Sequence, residues 1–181
     1  NSGGLTVPYV HIFGDGACVN QPEHINLILG SASSCEWRVN GESVNYQCQN
    51  LQHSFDSAGR YEISLTASNS NGDMTTKTTH VDIVSKPQTD KSVFVLDRIL
   101  CKKEPIRIEI SDSEFDVRYE LRKENSGETI GVSEQGNGGL VSIESDSINM
   151  SGFFDILGES LIANCRSSFP NEIYIDVEQT D

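Results

Sequence analysis

Three acidic side chains near the middle of the sequence have the spacing of a strand-borne metal site. Asp112, Glu114 and Asp116 stand at alternate positions. Alternate residues of a β-strand share one face, so the three carboxylates could converge on Ca²⁺, whose preferred ligands are hard oxygens. The other interpretation is a solvated loop between two strands, because the spacing is not that of an EF-hand. Bound Ca²⁺ is therefore one cofactor hypothesis, and the absence of any cofactor is the other.

The chain has five cysteines, and their spacing favours disulfides over a metal site. None belongs to a C-x-x-C pair, which argues against structural zinc. Widely separated cysteines in a strand-rich, acidic chain indicate disulfides formed in an oxidising compartment. Cys35 and Cys48 flank the Asn40-Gly41 turn almost symmetrically, and facing strands would bring them within disulfide range. A bridge between Cys18 and Cys48 is the alternative.

Residues that could act as a catalytic nucleophile or base lack their usual surroundings. His53 fits a structural role at a strand edge. No serine stands in a G-x-S-x-G setting, and the sequence has no P-loop or dinucleotide fingerprint. The Gly-Asn-Gly-Gly string at residues 136–139 is not followed by a helical pattern, so we interpret it as a turn. The sequence therefore predicts a protein that is not an enzyme.

Two aromatic residues could form a platform on which sugars stack, but packing explains them more simply. The Trp of an Ig-like third strand normally fills the core, which is the role we expect for Trp37. The tyrosine of a Gly-x-Tyr step normally makes a corner contact, and Tyr61 has that setting. Tyr46 and Tyr9 are better candidates for exposed aromatics.

Apolar residues alternate with polar ones along most of the chain, as in half-buried strands. Ile106, Ile108 and Ile110 form one such run, and residues 173–177 form another. Turn-forming residues separate the runs, because Asn and Gly tolerate the positive φ values of tight hairpins. The pattern predicts an all-β protein whose short strands pack as sandwiches.

The two halves of the chain carry similar motifs in the same order, which indicates an internal duplication. The matched pairs are Cys18-Val-Asn-Gln-Pro22 with Cys101-Lys-Lys-Glu-Pro105, Trp37-Arg-Val39 with Tyr119-Glu-Leu121, and Gly59-Arg-Tyr61-Glu-Ile63 with Gly152-Phe-Phe154-Asp-Ile156. Between the halves, residues 85–91 are polar and include a proline, which predicts a linker. We therefore predict two tandem Ig-like β-sandwich domains, at residues 5–86 and 91–179.

The formal net charge of −14 limits the choice of partners. A strongly acidic surface repels phosphate, so nucleic acid and anionic membranes are poor partners. No run of residues approaches the ~18 apolar positions of a membrane span, so direct membrane insertion is not expected. The chain begins at Asn1 without an export leader, which we interpret as a mature form from which any signal has been removed.

Residues 5–85 resemble the polycystic-kidney-disease (PKD) family of Ig-like domains. The shared features are Trp37 in an early strand, the His53-Ser-Phe55 step, the Gly59-Arg-Tyr61 entry to a late strand, and the Asn/Gly hairpin at residues 69–72. The family usually has an F-G-D-G turn after its Trp. Here that string stands at residues 13–16, before the Trp, and is not equated with the family's turn.

Residues 92–178 look like the Cys-containing Ig-like repeats of very large secreted proteins in gliding and cellulose-degrading Bacteroidetes. Those repeats have a Cys before the second strand, a Gly-aromatic late strand and a Cys near the last hairpin. Cys101, residues 152–154 and Cys165 fit this pattern. The resemblance implies a disulfide between Cys101 and Cys165.

Both resemblances imply spacers and adhesive stalks. We predict non-catalytic spacer or adhesion modules of a secreted or cell-surface, outer-membrane-associated bacterial protein. The expected partners are other domains of the same large protein, together with a protein or glycan ligand. The alternatives are a carbohydrate-binding accessory module of a secreted polysaccharide-degrading enzyme, which would need a row of exposed aromatics on one sheet face, and a Ca²⁺-dependent adhesin.

Overall fold

The computed structural model describes residues 7–178, and all regular structure in this range is β. The chain divides between Ser85 and Lys86 into two compact units. Each unit is a sandwich of two sheets. The prediction of an all-β, Ig-like fold is therefore confirmed. Within the described range there is no helix long and apolar enough to cross a membrane.

The first unit contains eight strands. They are β1 (Tyr9–Phe13), β2 (Ala17–Cys18), β3 (Pro22–Gly30), β4 (Ser34–Val39), β5 (Glu42–Val44), β6 (Leu51–Ser54), β7 (Gly59–Ser68) and β8 (Met74–Val84). One sheet has the order β1-β3-β6, and the other has the order β2-β8-β7-β4-β5.

The second unit contains nine strands. They are β9 (Val93–Val95), β10 (Ile99–Cys101), β11 (Pro105–Ile110), β12 (Val117–Lys123), β13 (Thr129–Val132), β14 (Val141–Ser147), β15 (Gly152–Ser160), β16 (Arg166–Ser168) and β17 (Ile173–Glu178). One sheet has the order β9-β11-β14, and the other has the order β10-β17-β15-β12-β13, with β16 also paired to β15.

The two units have the same topology once the extra strand β16 is set aside. In each, the first, third and sixth strands form the smaller sheet, and the remaining five form the larger one. In each, the short second strand pairs parallel with the last strand, β2 with β8 and β10 with β17, while the other strand pairs are antiparallel. Shared strand order supports the duplication that the sequence motifs indicate.

The core of the first unit forms around Trp37, which is fully buried on β4. Ile63 and Leu65 lie beside it on β7, and Ile25 and Leu51 come from the opposite sheet. The indole Nε1–H donates to the backbone carbonyl of Gln47 at 3.1 Å, so the ring buries its apolar surface without losing its hydrogen bond. Trp37 is thus a packing residue, as the sequence predicts.

Tyr119 occupies the corresponding place on β12 of the second unit and is also fully buried. Its hydroxyl accepts the backbone N–H of Glu114 at 2.9 Å, and its ring meets that of Phe169 edge to face at 6.0 Å. Burial raises the pKa of the Tyr119 hydroxyl, because the phenolate would be poorly solvated there. The inward residues of β11 surround it; they are Ile106, Ile108 and Ile110.

The segment predicted as a linker is packed onto the second unit instead. Pro87 is buried against Gly158 on β15. This close approach is possible because Gly158 lacks a side chain, since an added Cβ would lie 3.0 Å from the Pro87 ring. The next residue, Gln88, donates its backbone N–H to the Glu114 carboxylate at 3.0 Å. The second unit therefore begins several residues before the predicted position 91.

We expect Ile63→Ala to destabilise the first unit by about 2–5 kcal/mol, because it leaves a cavity beside Trp37 in a fully buried site. Trp37 is the chain's single tryptophan, so its fluorescence in a urea titration reports this unit. Met74→Ala, at an exposed position of β8, is the control and should change stability by less than about 0.5 kcal/mol. Equal effects of the two variants would contradict the assigned core.

Candidate functional site

The three acidic residues proposed for Ca²⁺ lie in the loop between β11 and β12, not on a strand. Asp112 and Asp116 have φ values of +53° and +59°, so the backbone turns at both and the alternating face of a strand does not form. Glu114 accepts the Gln88 N–H, whereas the Asp116 carboxylate accepts the Gln135 amide at 2.7 Å. The metal hypothesis assumed that these three residues lie on a strand, and that prediction was wrong.

Several protein contacts hold the acidic loop in place. Ser113 is buried, and its hydroxyl accepts the backbone N–H of Asn137 at 3.1 Å. Gly136 lies so close to the loop that an added Cβ would clash with the Glu114 carbonyl oxygen. Between residues 7 and 178, no three Asp, Glu, His or Cys side chains form a group that could hold a metal ion.

Cys35 and Cys48 form a disulfide with a Cα–Cα distance of 5.1 Å. Cys35 lies on β4 and Cys48 in the segment between β5 and β6, so the bridge closes the β4–β5 hairpin. This pairing rules out the alternative bridge between Cys18 and Cys48. The same segment is held to β4 by the hydrogen bond from Trp37 to Gln47, so a covalent link and a core residue fix it together.

The disulfide expected between Cys101 and Cys165 does not form, because Cys101 is a free, exposed thiol. Strand direction explains the difference. Cys101 lies beside Glu178 at the C-terminal end of β17. Cys165 is hydrogen-bonded to Ser160 at the far end of β15, which runs antiparallel to β17. The length of β15, roughly 30 Å at the rise of a strand, separates them.

We expect native protein to take up one equivalent of iodoacetamide, at Cys101, because this thiol is exposed and unbonded. Intact-mass measurement after labelling gives the count, and Cys101→Ser should abolish labelling without changing the melting temperature. Labelling at Cys35 or Cys48 in unreduced protein would contradict the disulfide assignment.

His53 and Tyr61 have structural roles in the first unit. The Tyr61 hydroxyl donates to the Ser57 carbonyl at 2.9 Å, which is the corner contact expected for an Ig-like sandwich. Its ring lies 4.3 Å from that of Phe55, which in turn meets the His53 ring edge to face at 4.8 Å. The aromatic step of the sequence is thus a small packed cluster and not a catalytic group.

The Phe13-Gly14-Asp15-Gly16 string carries the chain from one sheet of the first unit to the other, between β1 and β2. The Gly16 N–H donates to the buried carboxylate of Glu23 at 3.0 Å. Gly16 has a φ of +88°, and an added Cβ there would lie 2.5 Å from the backbone oxygen of Asp82, so the crossing requires glycine at this position. Glu23 was not identified from the sequence as a buried residue. Its neighbours on β3 are exposed, and nothing in their sequence indicates that a glutamate between them points inward.

A network of ion pairs on the second unit was also missed. Arg118 on β12 faces Glu159 on β15, and Arg166 on β16 completes the group. Glu159 is buried, and its carboxylate accepts from Arg166 at 2.7 Å and from Arg118 at 3.0 Å. Hydrogen bonds from Arg166, and then from Arg118, hold the pKa of Glu159 below its usual range despite burial. The network ties three strands together.

Glu159→Gln should lower the stability of the second unit at neutral pH by about 1–3 kcal/mol, because it removes the charge from a buried, doubly bonded acceptor. A carboxyl whose pKa is lowered on folding stabilises above its unfolded pKa and loses that contribution as pH falls through the folded value. The difference between wild type and variant should therefore shrink in acid.

Urea titrations followed by far-UV circular dichroism at several pH values would measure this effect. The matched control is Glu144→Gln, since Glu144 pairs with Arg107 at 3.1 Å on an exposed surface where such pairs contribute little. A deficit of Glu159→Gln that stays constant down to strongly acidic pH would refute the electrostatic role.

Two cavities formed by the described residues lie in the second unit. The smaller, of about 450 Å³, lies between the β12–β13 hairpin and the β14–β15 loop. Met150 and Phe153 line it with apolar surface. Its one lysine, Lys123, is paired with Glu128 at 2.7 Å. The larger, of about 770 Å³, is an open groove along β9 and β17. No histidine or cysteine is among the residues that line either cavity.

The predicted exposed aromatics differ in their placement. Tyr46 packs against the core of the first unit, so it is not part of an exposed platform. Tyr9 is 61% exposed. Phe13, at the other end of β1 and on the same side of the strand, is 42% exposed. His11 lies between them, with its ring 5.4 Å from that of Phe13. The first sheet of the first unit therefore carries an aromatic row on its outer face.

Comparison with known proteins agrees with this architecture. Residues 4–82 match the model of the PKD domain family, so the first unit is a PKD domain. No curated protein matches the sequence.

Among solved structures, the chain is similar to the fibronectin(III)-like modules of Clostridium thermocellum CbhA, with a TM-score of 0.62, 15% identity, and coverage of 96% of this chain and 95% of that one. It is also similar to the FN1-FN3 domains of chicken CNTN1, with a TM-score of 0.54, 14% identity, and coverage of 96% and 67%. At these identities the likeness shows the fold. A PKD domain followed by an Ig-like sandwich is compatible with a non-catalytic interaction module.

Proposed function

We propose that the chain provides non-catalytic spacer and adhesion modules of a secreted or cell-surface bacterial protein, and that it displays or joins the other domains of that protein. The observation that carries the proposal is that the tryptophan, tyrosine and glutamate side chains that could have formed a site are instead buried in the fold. Trp37 and Tyr119 fill the two cores, and Glu159 holds strands together. The described residues then form a pair of sandwiches, and the proposed function needs no cofactor.

The covalent structure supports an exported setting. The Cys35–Cys48 bridge closes a short loop, and such bridges persist in oxidising compartments. In the chain-entropy account, a loop of this length stabilises the folded state by about 3 kcal/mol. The acidic surface, with 27 acidic and 13 basic residues, keeps an extended surface protein soluble.

The proposal predicts that display depends on folded sandwiches. With the chain placed between an outer-membrane anchor and an epitope tag, antibody binding to whole cells should be strong for wild type. It should fall several-fold for Trp37→Ala, because loss of this core side chain costs about 3–5 kcal/mol, a large part of a small domain's stability. Phe94→Ala, at an exposed site on β9, is the control and should leave display unchanged.

Purified chain should also give no turnover above a heat-denatured blank on chromogenic glycosides, esters and peptides. Turnover that survives further purification would overturn the non-catalytic assignment. Display that is insensitive to Trp37→Ala would overturn the spacer role.

A further inference from the structure

The outer face of the β1-β3-β6 sheet lacks charged side chains. We call this surface the neutral face. Its members share an outward position on one of the three strands; they are Tyr9, His11, Phe13, Pro22, His24, Asn26, Ile28, Gly30, Gln52 and Ser54. Aspartate, glutamate, lysine and arginine are all missing from this set, although they make up 22% of the chain.

The duplicated unit shows that this composition is not a requirement of the fold. The corresponding sheet, β9-β11-β14, presents Arg107 and Glu144 on its outer face as an ion pair at 3.1 Å. Asp146 lies on the same side of β14. The same architecture is therefore compatible with a charged outer face, and the first unit differs from the second in having none.

The apolar residues of the neutral face are not needed for its own core. On β1 the inward residues Val10 and Ile12 are buried, while Tyr9 and Phe13 point outward. Ile28, opposite His11 on β3, is 53% exposed. Exposed aromatic and aliphatic side chains grouped on one face of a sheet mark a candidate binding surface.

The geometry of the aromatic row fits the rings of a sugar chain. The centroids of the His11 and Phe13 rings are 5.4 Å apart and the two ring planes are tilted by 36°, so the rings are neighbours on one side of β1 and do not meet edge to face. Tyr9 continues the row, and Gly30 opposite it places no side chain beside its ring. Aromatic faces stack on the apolar C–H faces of pyranoses, because their ring surface is broad, rigid and weakly negative.

Amide and imidazole groups flank the row at the positions where sugar hydroxyls would need partners. His24 and Gln52 face each other across β3 and β6, and Asn26 lies opposite Phe13. Amide side chains both donate and accept hydrogen bonds, and so does an imidazole ring. We propose that the neutral face binds an uncharged glycan through the Tyr9–His11–Phe13 row.

Charge and area both favour this ligand over the alternatives. The chain's net charge of −14 disfavours anionic polysaccharides, whereas a neutral glycan meets no charge on this face. The five residues of β1, the nine of β3 and the four of β6 cover about 290 Å² at a rise of roughly 3.4 Å per residue and a strand width of roughly 4.8 Å. A standard protein interface buries about 800 Å² on each partner, so the neutral face is too small for one but suits a short oligosaccharide.

Affinity electrophoresis of the full chain tests the proposal. Native gels would contain one of four soluble neutral polysaccharides, namely hydroxyethylcellulose, mixed-linkage β-glucan, xyloglucan and galactomannan, with polygalacturonate as the anionic comparison. We expect at least one neutral polymer to retard the wild-type chain and polygalacturonate not to. Tyr9→Ala and Phe13→Ala should each weaken the apparent affinity about tenfold or more, because each removes a stacking ring.

The matched control is Phe94→Ala, whose ring is 51% exposed on β9, the corresponding strand of the second unit. It should be retarded like wild type. The urea midpoint of Trp37 fluorescence must stay unchanged in Tyr9→Ala and Phe13→Ala, which separates lost binding from lost folding.

Three results would each overturn the proposal: no retardation by any of the neutral polymers, equal retardation of all variants, or concentration-dependent dimers that Tyr9→Ala abolishes. The last would assign the neutral face to a second copy of the chain. None of these results affects the spacer role, because the display experiment does not depend on Tyr9 or Phe13.

Discussion

Each unit of this chain depends on one large, fully buried aromatic side chain on a strand of its larger sheet. An indole N–H or a phenol hydroxyl in a dry core must find a partner, and in both units a loop outside the sheet provides it. Trp37 reaches the Gln47 carbonyl, and Tyr119 receives the Glu114 N–H. The core residue therefore determines where a surface segment lies as well as how the two sheets pack.

This constraint explains why regions with the composition of functional sites turned out to be structural. The acidic loop of the second unit is anchored by Tyr119 and by the buried Ser113, so its carboxylates point to separate partners. In the first unit, the segment with Cys48 is tied to β4 by both the disulfide and Trp37. Among the described residues, the outward side chains of the β1-β3-β6 sheet belong neither to a core nor to an ion pair, so they are available for binding.

How far the sequence could predict these features depended on the range of the interaction. Period-two alternation and turn residues are local, so they predicted the strands and the sandwich class. The Cys35–Cys48 bridge spans a single hairpin, so the same local signals were enough to predict it. The Cys101 pairing failed because it depends on the direction of strands far apart in sequence. The neutral face was not predictable either, since alternation in Tyr-Val-His-Ile-Phe does not say which side meets solvent.

The parallel contact between the second strand and the last strand has a mechanical consequence. In the first unit Ala17 and Cys18 pair with Ile83 and Val84, and in the second Ile99 to Cys101 pair with Asp176 to Glu178. Tension applied between the start of β2 and the end of β8, or between the start of β10 and the end of β17, would drag parallel strands past one another, so the hydrogen bonds of that contact would share the load and break together instead of unzipping one at a time. A tether built from such units would resist stretching up to a threshold and then give way abruptly, and the second unit, with one more paired residue, would have the stronger clamp.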